Sequence, residues 1–340
     1  MILFSKSTFF QEEHCAIISY PGDEFAGHVV PPAGTGKALA EEIGQFIKDR
    51  GVEMQSVKSL VSDGCEKMVG WEKGVHASLE KIFKVPFGRI ICFFHHLEKS
   101  FEVILLLYSG RTTSPGSYSS GVGKEVMGDV HKLPVQDFEV LPNEYLLTLI
   151  DGTSAEVFKN LSNDHQILLR LLRMVTTGEL EERYTAMKIG PVVTSRFTTT
   201  EARTLRKYIS QDKPSFELTR VVNYLVYVWA PVFLLCKKMN RLEATPSMLL
   251  MEVMLTKKHC SNPEQTLLAK SMSFNGQMAH PELVLLGMLA SSNFSERKRA
   301  VEIIFRVRSR GPIKWKTPSG VRPFKVRTEE FIILTSFDNI

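Results

Sequence analysis

Short apolar runs alternate with amphipathic segments over the first part of the chain. Residues 15–20 (CAIISY) and 25–30 (FAGHVV) have the composition of β-strands, and Pro21, Gly22 and Asp23 between them are typical of a turn. This pattern predicts a β-hairpin.

The next segments alternate between helical and strand-like patterns. Apolar residues recur at helical spacing in three segments and form short continuous runs in two others. The predicted order is helix 37–48, strand 56–62, helix 71–83, strand 89–94 and helix 96–108. Together with the hairpin, this order predicts a mixed sheet covered by helices.

The pattern changes beyond Pro142, where apolar runs lengthen and strand signals fade. The predicted helices there are 163–176, 198–210, 216–238, 245–256, 262–271, 281–290 and 294–309. A loop rich in Ser, Gly and Thr at 109–123 precedes the change. The sequence therefore predicts an α/β domain over 1–125 and a mainly α-helical region over 126–340.

One uncharged apolar stretch, residues 221–236, resembles a membrane span. It is shorter than the roughly 20 residues that cross a bilayer. Pro231 lies inside it, and Lys237 and Lys238 follow it. We expect a buried core helix and no membrane partner.

The cysteines favour a reducing compartment. The chain has five, an odd number, and no two are close in sequence. This pattern is typical of free thiols in an intracellular protein. No signal peptide is predicted at the N-terminus.

Positive charge is concentrated near the C-terminus. The chain has a net charge of +5, but residues 297–327 contain eleven Lys or Arg against one acid, Glu302. That segment is near +10, so the remaining residues sum to about −5. Such density suits phosphate contacts, although a solvated helix face followed by a basic loop explains it equally well. The candidate nucleic-acid-binding residues here are Arg297, Lys298, Arg299, Arg306, Arg308 and Arg310.

Two segments resemble known ligand sites but lack residues that those sites need. The loop 31–38 (PPAGTGKA) has Pro31 and Ala38 where a phosphate-binding loop needs Gly and Ser or Thr. Cys92, His95 and His96 supply at most part of a zinc site, which normally has four ligands in two close pairs. No small-molecule substrate is indicated.

Asp63 closes an apolar strand and precedes Gly64. Carboxylates at strand ends hold Mg²⁺ in two-metal phosphoryl-transfer sites. Asp63 is therefore a candidate magnesium ligand. The alternative is that it shapes a turn or caps the following helix.

Several motifs together resemble those of hAT-type DNA transposases. The resemblance lies in 61–81 (VSDGCEKMVGWEKGVHASLEK), in 89–101 (RIICFFHHLEKSF) with its Cys-x-x-His, and in 194–210 (TSRFTTTEARTLRKYIS). Segments 12–43, 110–123, 161–170 and 279–289 are also similar to stretches of transposon-like arthropod proteins. The resemblance covers most of the chain.

This resemblance implies an RNase H-like α/β fold followed by helices, and a metal-dependent Asp-Asp-Glu site that cuts and joins DNA. Asp63 would match the second Asp, and Glu282 the final Glu. Arg196 matches an Arg-Trp segment in which Phe197 replaces Trp. Residues 1–10 contain no acid, so the strand that carries the first Asp is expected to be missing or degenerate.

The leading hypothesis is a transposase-derived, nuclear, nucleic-acid-binding protein without competent strand transfer. DNA is the expected partner, self-association is possible, and no cofactor is expected unless the site is active with Mg²⁺. The candidate phosphate contacts on or near the predicted helix 198–210 are Arg196, Arg203, Arg206 and Lys207, with 203 and 207 one helical turn apart. The alternatives are an active Mg²⁺-dependent nuclease or transposase, and a protein-interaction scaffold.

Overall fold

A computed structural model gives the fold of this mixed α/β, mainly helical chain. It describes residues 14–19, 24–53, 57, 59–70, 72–85, 88–110, 112–114, 117–192, 197–239, 246–275, 294–295, 297–298 and 301–302. The chain divides after Ile91 into two compact units.

The first unit is built on two pairs of strands. Its elements are β1 (Cys15–Ser19), β2 (Glu24–Val29), α1 (Gly36–Asp49), β3 (Ser59–Ser62), α2 (Glu66–Val69), α3 (Val75–Phe83) and β4 (Gly88–Ile91). Strands β1 and β2 form the predicted antiparallel hairpin. Strands β3 and β4 are parallel, with Ser62 opposite Ile91, and are connected through α2 and α3.

Helix α1 forms because its sequence supplies both a cap and an apolar face. The Thr35 hydroxyl accepts a hydrogen bond from the Ala38 amide at 3.2 Å, which satisfies one of the free N–H groups of the first turn. Leu39 and Ile43 then enter the core of the unit. Gly36 is required because a Cβ there would lie 2.6 Å from the Lys67 carbonyl oxygen.

The second unit is mainly helical. Its longer helices are α4 (Phe93–Leu107), α6 (Glu144–Asp151), α8 (Asn163–Thr177), α10 (Phe197–Tyr208), α11 (Phe216–Tyr224), α12 (Ala230–Met239), α13 (Pro246–His259) and α14 (Asn262–Asn275). Its shorter elements are β5 (Thr112–Ser114), β6 (Ser117–Tyr118), α5 (Gly121–Met127), a 3₁₀ turn (Val130–Lys132), α7 (Ala155–Asn160) and α9 (Glu182–Ala186). The largest fully buried side chains of this unit include Trp229, Tyr208, Tyr224, Phe93 and Phe233.

A turn of π-helix, Leu225–Trp229, joins α11 to α12. It lies next to Pro231, which has no N–H and cannot bond a carbonyl of the preceding turn. The Val226 carbonyl instead accepts a hydrogen bond from Asn143 Nδ2 at 2.8 Å. The stretch Phe216–Lys237 is long and apolar enough to cross a membrane, but 72% of its most apolar window is buried inside the protein. That burial agrees with the predicted core helix.

The mixed α/β class and the helical second half are confirmed, whereas the single mixed sheet is not. The described strands form three separate two-stranded ladders. One of these, β5 with β6, lies in the segment predicted as a loop, 109–123. Elements α4 to α5, predicted as part of the first domain, belong to the second unit. The predicted helix 281–290 lies outside the described residues, as does most of 294–309.

Candidate functional site

Asp63 directly follows the last residue of β3. Because β3 pairs in parallel with β4, Asp63 lies at the carboxyl edge of a parallel ladder, where the sequence predicted it. Its side chain is exposed, and Oδ1 accepts a hydrogen bond from the Cys65 amide at 3.1 Å. Asp63 therefore also shapes the turn into α2, as the alternative interpretation expected.

Polar side chains contact Asp63, among them Ser62 and Cys65. The Ser62 hydroxyl lies 3.0 Å from His76 Nε2, and the imidazole of His76 is buried. Burial and a hydrogen bond with Asp63 raise the pKa of the Cys65 thiol. Across the described residues, no three His, Cys, Asp or Glu side chains are grouped so that they could hold a metal ion. Glu282 lies outside those residues.

Arg203 is a structural residue, and its prediction as a phosphate contact is wrong. The residue is only 4% exposed, on a helix that is almost entirely buried. An arginine side chain has five N–H donors. In this protein they reach five main-chain carbonyls, those of Val126, Met127, Gly128, Ile189 and Gly190. The first three belong to the end of α5, where carbonyls lack partners within the helix.

Arg206 is likewise buried, at 2% exposure, so its prediction as a DNA contact is also wrong. Its guanidinium donates to the carbonyls of Thr185 and Leu133. Of the three candidates that lie on the described α10, Lys207 reaches solvent, with 18% of its side chain exposed and Nζ 3.9 Å from Glu125. The spacing of 203 and 207 was correct, but the face is turned towards the protein.

Little of the candidate basic surface lies within the described residues. Lys298 is exposed, and Arg297 lies over the ring of Phe294, with 5.8 Å between the guanidinium carbon and the ring centroid. The other candidates lie outside the described residues: Arg196, Arg299, Arg306, Arg308 and Arg310.

A buried polar cluster, not predicted from the sequence, lies between α4 and α13. His96 Nε2 is 2.8 Å from Glu252 Oε2, and the two side chains are only 3% and 2% exposed. The Ser100 hydroxyl donates to the other carboxylate oxygen at 3.2 Å. A buried carboxylate needs such partners because it has lost its hydration. The sequence signal was the pair His96 and Ser100, one helical turn apart on a face of α4 that is otherwise apolar.

A second cluster surrounds Glu264 in α14. Arg220 donates to both carboxylate oxygens, and the Tyr108 hydroxyl donates at 2.8 Å. Both the amide and the hydroxyl of Ser261 donate to the same carboxylate. Burial alone would raise the pKa of Glu264, but these donors, led by Arg220, lower it. The Ser-x-x-Glu spacing at 261–264 is a helix-start signature that sequence reasoning could have used.

The Cys-x-x-His motif begins α4. Cys92 is the N-terminal cap residue of the helix, and His95 Nδ1 lies 3.4 Å from Glu98. Thus His96, rather than the His95 of the motif, makes the buried contact.

Comparisons of this chain with protein-family models, with curated proteins and with solved structures find no match. Its chemistry must therefore be argued from its own residues.

Proposed function

We propose that this chain is a transposase-derived nucleic-acid-binding protein with an RNase H-like first unit and no competent strand-transfer site. The observation that carries the proposal is the position of Asp63, immediately after a strand that pairs in parallel with the next. Carboxylates at that edge of a sheet are placed to meet side chains from neighbouring strands. The order of the hAT-like motifs along the chain supports the same assignment.

The arrangement of the strands supports a degenerate sheet. Within the described residues, the β1–β2 hairpin and the β3–β4 pair share no ladder hydrogen bond. One further strand between them would be needed to join them in the single mixed sheet of an RNase H-like fold. Residues 1–10, which precede the hairpin segment, contain no Asp or Glu that could serve as a catalytic carboxylate.

The distribution of charge supports binding to a polyanion. The two arginines of α10 are used inside the protein, so phosphate contacts fall to the segment 297–327, which is near +10. Binding through such a segment releases counterions, and its affinity falls steeply as salt rises. Sequence specificity would have to come from other contacts.

DNA affinity as a function of salt tests the binding proposal. The triple variant Arg306→Gln, Arg308→Gln, Arg310→Gln removes three charges from the basic segment. The matched control Lys257→Gln, Lys258→Gln, Lys270→Gln removes three from exposed positions of α13 and α14. Fluorescence anisotropy with duplex DNA should give a slope of log affinity against log salt that is about 2.7 smaller for the first variant, at about 0.9 per phosphate contact.

The control variant with the three lysine substitutions should show the same slope of log affinity against log salt as the unchanged protein. Equal slopes for all three proteins, or no retention of DNA at low salt, would remove the nucleic-acid proposal. A stable homodimer or protein complex without DNA binding would favour the scaffold instead. DNA nicking with Mg²⁺ or Mn²⁺ that disappears in Asp63→Asn would show that catalysis remains, whereas equal nicking by both proteins would point to a contaminant.

A further inference from the structure

Helix α10 is polar in sequence (FTTTEARTLRKY) yet lies inside the helical unit. Most of its polar side chains have partners. Arg203 and Arg206 donate to main-chain carbonyls, and the Thr204 hydroxyl donates to the Thr200 carbonyl at 2.8 Å. Glu201 is different, because it is 0% exposed and neither of its carboxylate oxygens has a hydrogen-bond partner among the described residues.

The groups that act on Glu201 do not compensate a negative charge. Glu98 on α4 repels it, and Tyr118 on β6 and Tyr224 on α11 both experience its charge. Tyr224 is itself buried and interacts with Ser100. Both arginines of α10 are engaged elsewhere. The Glu201 backbone N–H favours the ionised form, but burial and the Glu98 carboxylate both oppose it.

An ionised carboxylate in such a place is costly. Moving a carboxylate from water into a protein interior is strongly unfavourable unless donors or a cation replace its hydration, so buried acids take up a proton instead. Nearby negative charge adds to that cost. We propose that Glu201 is a neutral carboxylic acid in the folded protein, and that its ionisation destabilises the helical unit as pH rises.

The pKa of Glu201 also favours the protonated form in the folded protein. Burial first, then the Glu98 carboxylate, raises the pKa of Glu201 well above its ordinary value of 4.5. Between the unfolded and folded pKa values the folded protein binds more protons than the unfolded chain. Stability is therefore greatest below the unfolded value and is lost as pH rises through the folded one.

Helix α10 is well placed to transmit the effect. It packs on α8, α11 and α5, and its Arg203 holds the end of α5. Loosening α10 would therefore affect several helices at once. The helical unit would therefore be more stable towards unfolding in mildly acidic solution than in alkaline solution.

The test compares the full chain with Glu201→Gln, which is nearly isosteric and cannot ionise. Glu182→Gln, at an exposed site on α9, is the control. Urea unfolding is followed from about pH 5 to about pH 8, a range that begins above the unfolded pKa of a glutamate. The stability of Glu201→Gln relative to the unchanged protein should increase with pH. Each unit of pKa difference corresponds to about a tenfold change in the unfolding equilibrium.

The control should follow the unchanged protein at every pH. A constant difference between Glu201→Gln and the unchanged protein would overturn the proposal. Infrared spectroscopy gives a second measurement if the variant does not fold. The unchanged protein at neutral pH should show the C=O band of a protonated carboxylic acid, and urea should abolish that band. Absence of the band in the folded protein would also overturn the proposal.

Discussion

At the scale of single residues, charged side chains in this protein lie in two distinct environments. Arg203 and Arg206 on α10 are buried and donate to carbonyls, whereas Lys298 is exposed. Basic side chains therefore serve packing in one place and are exposed to solvent in the other. The difference lies in what surrounds each residue.

Arg203→Lys should destabilise the protein by about 3 kcal/mol, because a lysine has three donors and no planar fork. At least two of the five carbonyls bound by Arg203 would lose their partner inside the protein. Urea unfolding at constant pH measures the change. Lys207→Arg, one turn further along α10, is the control and should stay within about 0.5 kcal/mol. Equal stability of Arg203→Lys and the unchanged protein would show that the five hydrogen bonds are dispensable.

At the scale of elements, Asn143 connects the start of α6 to the π-turn before α12. Its Oδ1 accepts from the Leu146 amide at 3.0 Å, and its Nδ2 donates to Val226. One side chain thus caps a helix and satisfies the carbonyl left free beside Pro231. This dual role explains why the irregular turn can be buried.

Asn143→Asp separates the two roles, since a carboxylate still accepts from Leu146 but cannot donate to Val226. We expect a loss of about 1–3 kcal/mol, the cost of leaving a buried carbonyl unsatisfied. Thermal unfolding by circular dichroism measures it. Ser154→Asp replaces the cap of α7, which has only the accepting role, and should change stability by less than about 1 kcal/mol. If both variants lose the same amount of stability, the hydrogen bond from Asn143 to the Val226 carbonyl contributes nothing to the stability of the fold.

At the scale of the whole molecule, charge and core are separated along the chain. The described core of the helical unit ends at Ala269, whereas the basic segment begins at Arg297. Residues 297–340 carry eleven Lys or Arg and four Asp or Glu, a net of +7, so residues 1–296 sum to −2. Binding and folding should therefore be separable.

A chain ending at residue 296 should keep its thermal midpoint within a few degrees and lose its retention on immobilised DNA. The reason is that truncation removes the positive segment but none of the described core residues. Differential scanning fluorimetry and DNA-affinity chromatography give the two readouts. A large drop in midpoint would mean that the basic segment also packs against the fold.

Much of the secondary structure was predictable from periodicity. The hairpin, the strand before Asp63 and helices such as α8 and α12 follow from apolar spacing and from turn residues, which act locally. The resemblance to transposases likewise rests on local motifs, and it remains a proposal. The short β5–β6 pair was missed because Ser, Gly and Thr give no strand pattern.

The sequence by itself determined where most of the longer helices and the strands of the first unit form, where positive charge is concentrated, and that Asp63 ends a strand, because these depend on neighbouring residues. Only the tertiary structure decided that α10 is buried. Its polar sequence indicates a solvated face, but main-chain carbonyls from distant segments satisfy Arg203 and Arg206. The pairing of His96 with Glu252 likewise joins residues far apart in the chain, and local patterns carry no information about such partners.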